Sequence, residues 1–191
     1  MIHHIFNKDI SFPEGGKLEQ AIFGMGCFWG AEKKFWELDG VKLTAAGYAG
    51  GISKDPSYKD VCTGLTGHNE VVKVLFDPLE VSYVDILATF WENHDPTQMN
   101  RQGNDIGTQY RSGAYYFSDT QKFKLLETKA VYEDSLRKSG FGPILTEIKE
   151  APEFFLAEDY HQQYLAKNPH GYCGLGGTGI GLKNKLETSA E

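Results

Sequence analysis

The order in which apolar runs of two different periods follow one another constrains this chain more than any single residue does. Ala21-Ile22-Phe23 and the nearly continuous apolar run from Val71 to Phe76 have the length and residue types of buried strands, and the second stops at Asp77-Pro78. Phe28, Ala31, Phe35 and Leu38 instead recur by three and four, the spacing of one helix face, and Gly40 ends that pattern. Extended along the chain, this reading predicts strands over 18–23, 41–48, 71–76, 114–117 and 144–148. It predicts helices over 27–38, 83–94, 118–139 and 153–167. Ser82 with Asp85 has the form of a capping box, and Ser118 with Gln121 opens the long third helix in the same way. The order β-α-β-β-α-β-α-β fits an α+β layered domain, with a mixed or antiparallel sheet packed against helices.

One domain is expected across 1–191, a length that can bury a substantial core. Residues 1–16 read as an irregular surface arm with no secretory leader, and 168–191 as a glycine-rich mobile tail whose last dozen residues are polar and expected to fray. Residues 97–111 are polar and too long for a simple turn, the mark of a functional loop. Hydrophobic content of 40% with 24% charged residues is ordinary for a soluble protein. A net charge of −7 disfavours nucleic acid and anionic membrane as partners, since both reward clustered Lys and Arg. No apolar run is long enough to span a bilayer. The three cysteines, Cys27, Cys62 and Cys173, are odd in number and widely spaced, which argues against a disulfide framework and for a reducing, cytoplasmic setting.

Cys27 falls where the first strand ends and the first helix begins. N–H groups of a first helical turn lack intrahelical partners and favour an anion, so a thiol placed there is expected to ionise easily and act as a nucleophile. Phe28 and Trp29 follow directly and predict an apolar pocket. A cysteine between Gly26 and Phe28 is equally readable as a small buried hydrophobe, and the flanking glycines tilt that balance only modestly towards function.

Six glycines between 171 and 181 surround Cys173, so this thiol is expected to be free to swing and suits the capture of an oxidised partner thiol. The Gly174-x-Gly176-x-x-Gly179 spacing matches a dinucleotide fingerprint by letter alone, because neither the helix nor the acidic residue that such a site needs follows it. No second pair stands near Cys62 and His68 at zinc-like spacing, so neither metal nor cofactor is expected. His68, His94, His161 and His170 read as structural hydrogen-bonding residues.

Gly26-Cys27-Phe28-Trp29-Gly30 resembles the catalytic motif of A-type peptide methionine sulfoxide reductases. Gly47-Tyr48-Ala49-Gly50-Gly51, Thr66-Gly67-His68-Asn69-Glu70, the run Asp105 to Ser112, His161-Gln162-Gln163-Tyr164-Leu165 and Gly171-Tyr172-Cys173-Gly174 are similar to further motifs of that family, in its order. The resemblance implies a two-layer α+β sandwich with a ferredoxin-like core. It implies reduction of methionine-S-sulfoxide, free or in oxidised proteins, with thioredoxin as reductant, and separately from the resemblance the chain is expected to act as a monomer. By position, Cys27 is the nucleophile, Glu70 the acid, and Tyr48 and Tyr110 the ligands of the sulfoxide oxygen. Phe28 and Trp29 form the methyl pocket, Asp105 supports the hydrogen-bond network near Glu70, and Cys173 recycles Cys27 through a disulfide. Two positions depart from the family's pattern. Asn69 stands where many members carry alanine, and no later cysteine follows Cys173, so a two-step relay in the tail is excluded and thioredoxin should attack the Cys27–Cys173 disulfide directly.

These residue types suit that chemistry. A sulfoxide becomes electrophilic at sulfur once its oxygen is protonated or firmly hydrogen-bonded, and a carboxyl taken partly out of water is an acid near neutral pH. Phenol hydroxyls can donate to the oxygen as charge builds there. Read from pattern alone, Glu70 is a solvated charge at a strand end, and the two tyrosines are packing residues. A cysteine hydrolase pairing Cys27 with a histidine, or a module that binds methyl-bearing peptides, remains open at this level.

Overall fold

Residues 1–13 and 15–182 are described by the computed structural model of the chain. Four strands carry the centre of the sheet: β1 (Glu19–Met25), β2 (Val41–Ala49), β3 (Asn69–Phe76) and, after a helix, a hairpin and a 3₁₀ turn, β6 (Ser112–Tyr116). Alternation decides their faces. Ala21, Phe23 and Met25 of β1 and Val72, Val74 and Phe76 of β3 point into the main core, whereas Ile22, Val71, Ala49 and Tyr115 pack on the opposite side. The helices α1 (Phe28–Trp36), α3 (Tyr83–Glu92) and α4 (Asp119–Lys138) all contribute to that main core, through Phe35, Phe90, Trp91, Leu125 and Leu136 among others. The result is an α+β molecule with its helices on one face of the sheet.

The six strands run in the order β7-β6-β1-β3-β2-β8, with β7 spanning Glu147–Glu150 and β8 Phe154–Leu156. Every neighbouring pair is antiparallel except β6 with β7. The Ser82 capping box is present, with Ser82 Oγ accepting from the Asp85 N–H at 3.2 Å, whereas Ser118 makes only the first half: its Oγ accepts from the Gln121 N–H at 3.2 Å, but the Gln121 side chain accepts from the Phe117 N–H instead of returning to Ser118.

Several local expectations are corrected. The helix expected over 153–167 is instead strand β8, a turn, and the single-turn α5 (Tyr164–Lys167). Phe154 to Leu156 bond to the open edge of β2 opposite Gly47–Ala49, and tertiary pairing overrides the local pattern. Gln163, at φ +47° in the left-handed region, then interrupts any continuous helix. A short α2 (Tyr58–Cys62), opened by a Ser57–Asp60 capping box, lies where only a polar stretch was read. The loop over 97–111 folds as a small hairpin, β4 (Arg101–Gln102) with β5 (Asp105–Ile106), followed by a 3₁₀ turn at Thr108–Tyr110.

The amino-terminal arm is pinned at its start. His3 is buried and bonds Thr44 Oγ1 at 2.9 Å, and Thr44 Oγ1 in turn donates to Glu32 Oε1 at 2.9 Å. Glu32 also accepts from the Gln163 N–H and side-chain amide, at 2.8 and 2.7 Å, and burial raises its pKa to about 7. The tail lies across α3 and α4: the Leu182 N–H donates to Glu92 Oε1 at 2.6 Å, and the Tyr132 hydroxyl pairs with Thr178 Oγ1 at 2.8 Å. The frayed end expected of the last dozen residues falls largely on 183–191, outside the described residues. Among the described residues, no helix is long and apolar enough to cross a membrane.

Candidate active site

Gly26, at φ +90°, turns the chain from β1 into α1, and a side chain there would strike Gln102. Cys27 is the N-cap residue of α1. The helix end does not serve Cys27 as the sequence alone implied, because the first two N–H groups of the helix are divided. The Phe28 N–H donates to Glu70 Oε2 at 3.2 Å, while the Trp29 N–H is directed at the Cys27 sulfur. Burial, followed by the neighbouring Glu70, raises the thiol's pKa well above its ordinary value, and the Trp29 N–H offsets this only in part. The expectation of an easily ionised Cys27 is thereby corrected, and the resting group is the thiol.

Glu70 is 2% exposed, which decides against a solvated strand-end charge. Burial raises its pKa to about 8; the Phe28 N–H pulls it down and Asp105 pushes it further up. Tyr48 is its direct cross-strand partner, β2 against β3, so both side chains project to the same face beneath the start of α1. The Tyr48 ring is fully buried against Phe28, centroids 5.8 Å apart, and its hydroxyl donates to Glu158 Oε2 at 2.8 Å. Tyr110, at the end of the 3₁₀ turn, is half-buried in the same electrostatic neighbourhood. Burial, then Glu70 and Cys27, raise its pKa and keep it a phenol donor.

The remaining sequence candidates converge on the same helix end. Phe28 is buried and its ring sits 5.0 Å from that of His161. Trp29 stacks on Tyr164 at 3.8 Å and donates its indole N–H to His161 Nδ1 at 3.0 Å. Asp105 accepts from the Tyr172 hydroxyl at 3.2 Å on each oxygen, so it reaches the tail as well as the field of Glu70. The Cys173 sulfur lies against Gly30, 2.9 Å from where a Cβ would stand. It is exposed, on the first turn of the helix that Cys27 caps, and all three cysteines are free thiols.

Sequence reasoning missed Glu158, Tyr164 and the part played by Asn69, and it read His161 as merely structural. The quoted motif from His161 to Leu165 was the available signal for two of these. Asn69, one residue before the acid, fills a space left by Gly24 and Gly113, which face each other across β1 and β6. Its amide donates to the Arg111 carbonyl at 3.0 Å, tying the strand of Glu70 to the loop that carries Tyr110. Asn69→Ala should therefore destabilise the protein by about 1–3 kcal/mol, by leaving that carbonyl unpaired, which urea unfolding measures directly.

A cysteine at a helix start beside a buried carboxyl whose pKa is raised, with a second exposed thiol against the same helix, is the equipment of a thiol oxidoreductase. A cysteine hydrolase needs a base against the sulfur, and His161, the histidine of this cluster, has its Nδ1 occupied by Trp29. The chain belongs to the peptide methionine sulfoxide reductase family, whose model matches residues 19–186. It is 62% identical over 178 residues to the peptide methionine sulfoxide reductase MsrA of Rippkaea orientalis, covering 93% of this chain and 82% of that one. Among solved structures, methionine sulfoxide reductase A of Corynebacterium diphtheriae superposes with a TM-score of 0.83 at 44% identity, over 90% of this chain and 83% of the other. Reduced Mxr1 of Saccharomyces cerevisiae follows with a TM-score of 0.75 at 36% identity, over 82% of this chain and 89% of the other.

Proposed function

We propose that this chain reduces methionine-S-sulfoxide, in oxidised proteins and as the free amino acid, to methionine. The observation that carries the reading is the buried Glu70 carboxyl, raised to about 8 and held by the Phe28 N–H directly beside the thiol of Cys27. Protonated at neutral pH, it can deliver a proton to the sulfoxide oxygen while Tyr110 and Tyr48 donate hydrogen bonds to that oxygen. Cys27 attacks the substrate sulfur, and its own proton passes to the Glu70 carboxylate just formed. Oxygen moves from the substrate sulfur to Cys27, giving methionine and a cysteine sulfenic acid, so Glu70 ends the step as it began. Phe28 and Trp29 enclose the methyl group, where each sulfur–aromatic contact contributes about 0.3–1.5 kcal/mol. Separate places for oxygen, methyl and the remaining chain set the handedness at sulfur.

The Cys173 thiol then attacks the sulfenic acid, releasing water and forming a Cys27–Cys173 disulfide. The closeness of its sulfur to Gly30 supports that step. A thioredoxin dithiol would reduce the disulfide and become oxidised itself; the exposure of Cys173 supports this, and the yeast relative Mxr1 has been solved in complex with Trx2. Action as a monomer in the cytoplasm is part of the same proposal; the odd number and wide spacing of the cysteines support the reducing setting.

A single-turnover assay with the two separated epimers of a methionine sulfoxide peptide, with dithiothreitol as reductant, tests the reading. Methionine should form from the S epimer alone; a hydrolase or a peptide-binding module forms none from either. Cys173→Ser should retain its dithiothreitol-dependent rate, stall with thioredoxin and accumulate a sulfenic acid that dimedone traps. Undiminished cycling with thioredoxin would remove Cys173 from the scheme.

A further inference from the structure

A tyrosine hydroxyl carries one proton, and in this structure the proton of Tyr48 is committed to Glu158 at 2.8 Å. The other Glu158 oxygen accepts the Tyr58 N–H at 2.8 Å. His161 is the third party. Its Nδ1 accepts the Trp29 indole N–H, so its Nε2 bears the hydrogen; that nitrogen is buried with no partner, 3.9 Å from the same Glu158 oxygen that Tyr48 holds. A buried N–H left unpaired is uncommon and costly, and here it is aimed near an acceptor already in use.

We propose that Glu158 is a positioning residue that holds the Tyr48 proton away from the sulfoxide site in the resting enzyme, and that His161 takes over the vacated Glu158 oxygen when substrate binds. This deepens the reading in which Tyr48 serves the sulfoxide oxygen, and rests on it. In the exchange, the Tyr48–Glu158 hydrogen bond breaks and two form, Tyr48 to the sulfoxide oxygen and His161 Nε2–H to Glu158; no proton changes owner. An approach of about 1 Å brings His161 into hydrogen-bond range. Glu158 stays ionised throughout: burial raises its pKa, but the Tyr58 and its own backbone N–H groups, followed by the Tyr48 hydroxyl, hold it below its ordinary value. The indole that His161 accepts from belongs to the methyl pocket, so one imidazole links the subsites for methyl and for oxygen.

Glu158→Gln separates this from a purely structural role. The Tyr58 N–H keeps the new amide's oxygen, so its NH₂ faces Tyr48, donates to the phenol oxygen and turns the phenol proton outward. KM for a sulfoxide peptide should fall about five- to tenfold with kcat unchanged, as expected when a charge-assisted competitor is removed. The same substitution in a Tyr48→Phe background should change nothing. An equal loss of kcat/KM in both backgrounds would overturn the proposal and leave Glu158 as an anchor for α2. A Tyr48→Phe variant as active as the parent would remove Tyr48 from the reaction, and the proposal with it. Should Glu158→Gln not fold, the imidazole reports directly. In ¹⁵N-histidine-labelled Cys27→Ser protein, saturating dimethyl sulfoxide should move the His161 Nε2–H proton resonance downfield; an unmoved resonance at full occupancy overturns the exchange.

Discussion

Cys27→Ser should form no detectable methionine from a sulfoxide peptide under any reductant. The reason lies in where the oxygen must go. A cysteine sulfur accepts it to give a sulfenic acid, one step on a reversible ladder, whereas a serine oxygen accepting it would become a hydroperoxide. Serine is also a far weaker nucleophile than cysteine towards sulfur, so the attack itself is lost as well. The fold should survive the change, because Cys27 is only part-buried and the Trp29 N–H that faces its sulfur can face a hydroxyl instead. Product analysis by mass, with near-ultraviolet circular dichroism as a check on packing, decides the matter. Appreciable reduction by this variant would end the assignment of Cys27.

The same residue marks how far the sequence could be read. Its position at a strand–helix junction was legible, because a short continuous apolar run gives way to a three-to-four-residue period after Gly26. The state of its thiol was not. A helix end offers its N–H groups to whichever acceptor reaches them, and only the β2–β3 register brings Glu70 up to take the Phe28 N–H. For the same reason Glu70 looked like a strand-end charge: burial of one carboxyl depends on the layers above it, not on its neighbours in the chain. The strands at the sheet centre were found because they are continuously apolar. The edge strand β8 was missed because Phe154 to Leu156 acquire their conformation from pairing with β2. Asn69 illustrates a further limit, since the space it fills is made by glycines 45 and 44 residues away on two other strands (69−24 and 113−69). The family motifs named the candidate site residues in this chain without disclosing which hydrogen bonds each residue spends at rest.

Glu70→Gln should slow the sulfoxide step by about 10²–10⁴-fold at neutral pH, the range that a positioned general acid supplies. The substitution is a narrow one. A glutamine oxygen still accepts the Phe28 N–H, and its NH₂ can still donate a hydrogen bond towards the substrate, so what is lost is the transferable proton. The pH dependence then has a definite sign. With the Glu70 pKa raised to about 8, the parent carries its acid form throughout the range below that value and loses it as pH rises through it. The parent's single-turnover rate should be level from about pH 6 to 7.5 and fall tenfold per unit above about 8. No rising limb from thiol ionisation should appear there, because burial and Glu70 keep Cys27 protonated. The glutamine variant has no such group, so its profile should be flat through pH 8, and its deficit should shrink as the parent declines towards it. Stopped-flow or quenched measurement of thioether formation across pH 6 to 9.5 checks both curves. A variant that keeps the parent's inflection near 8 assigns that inflection to another group and takes the acid role from Glu70.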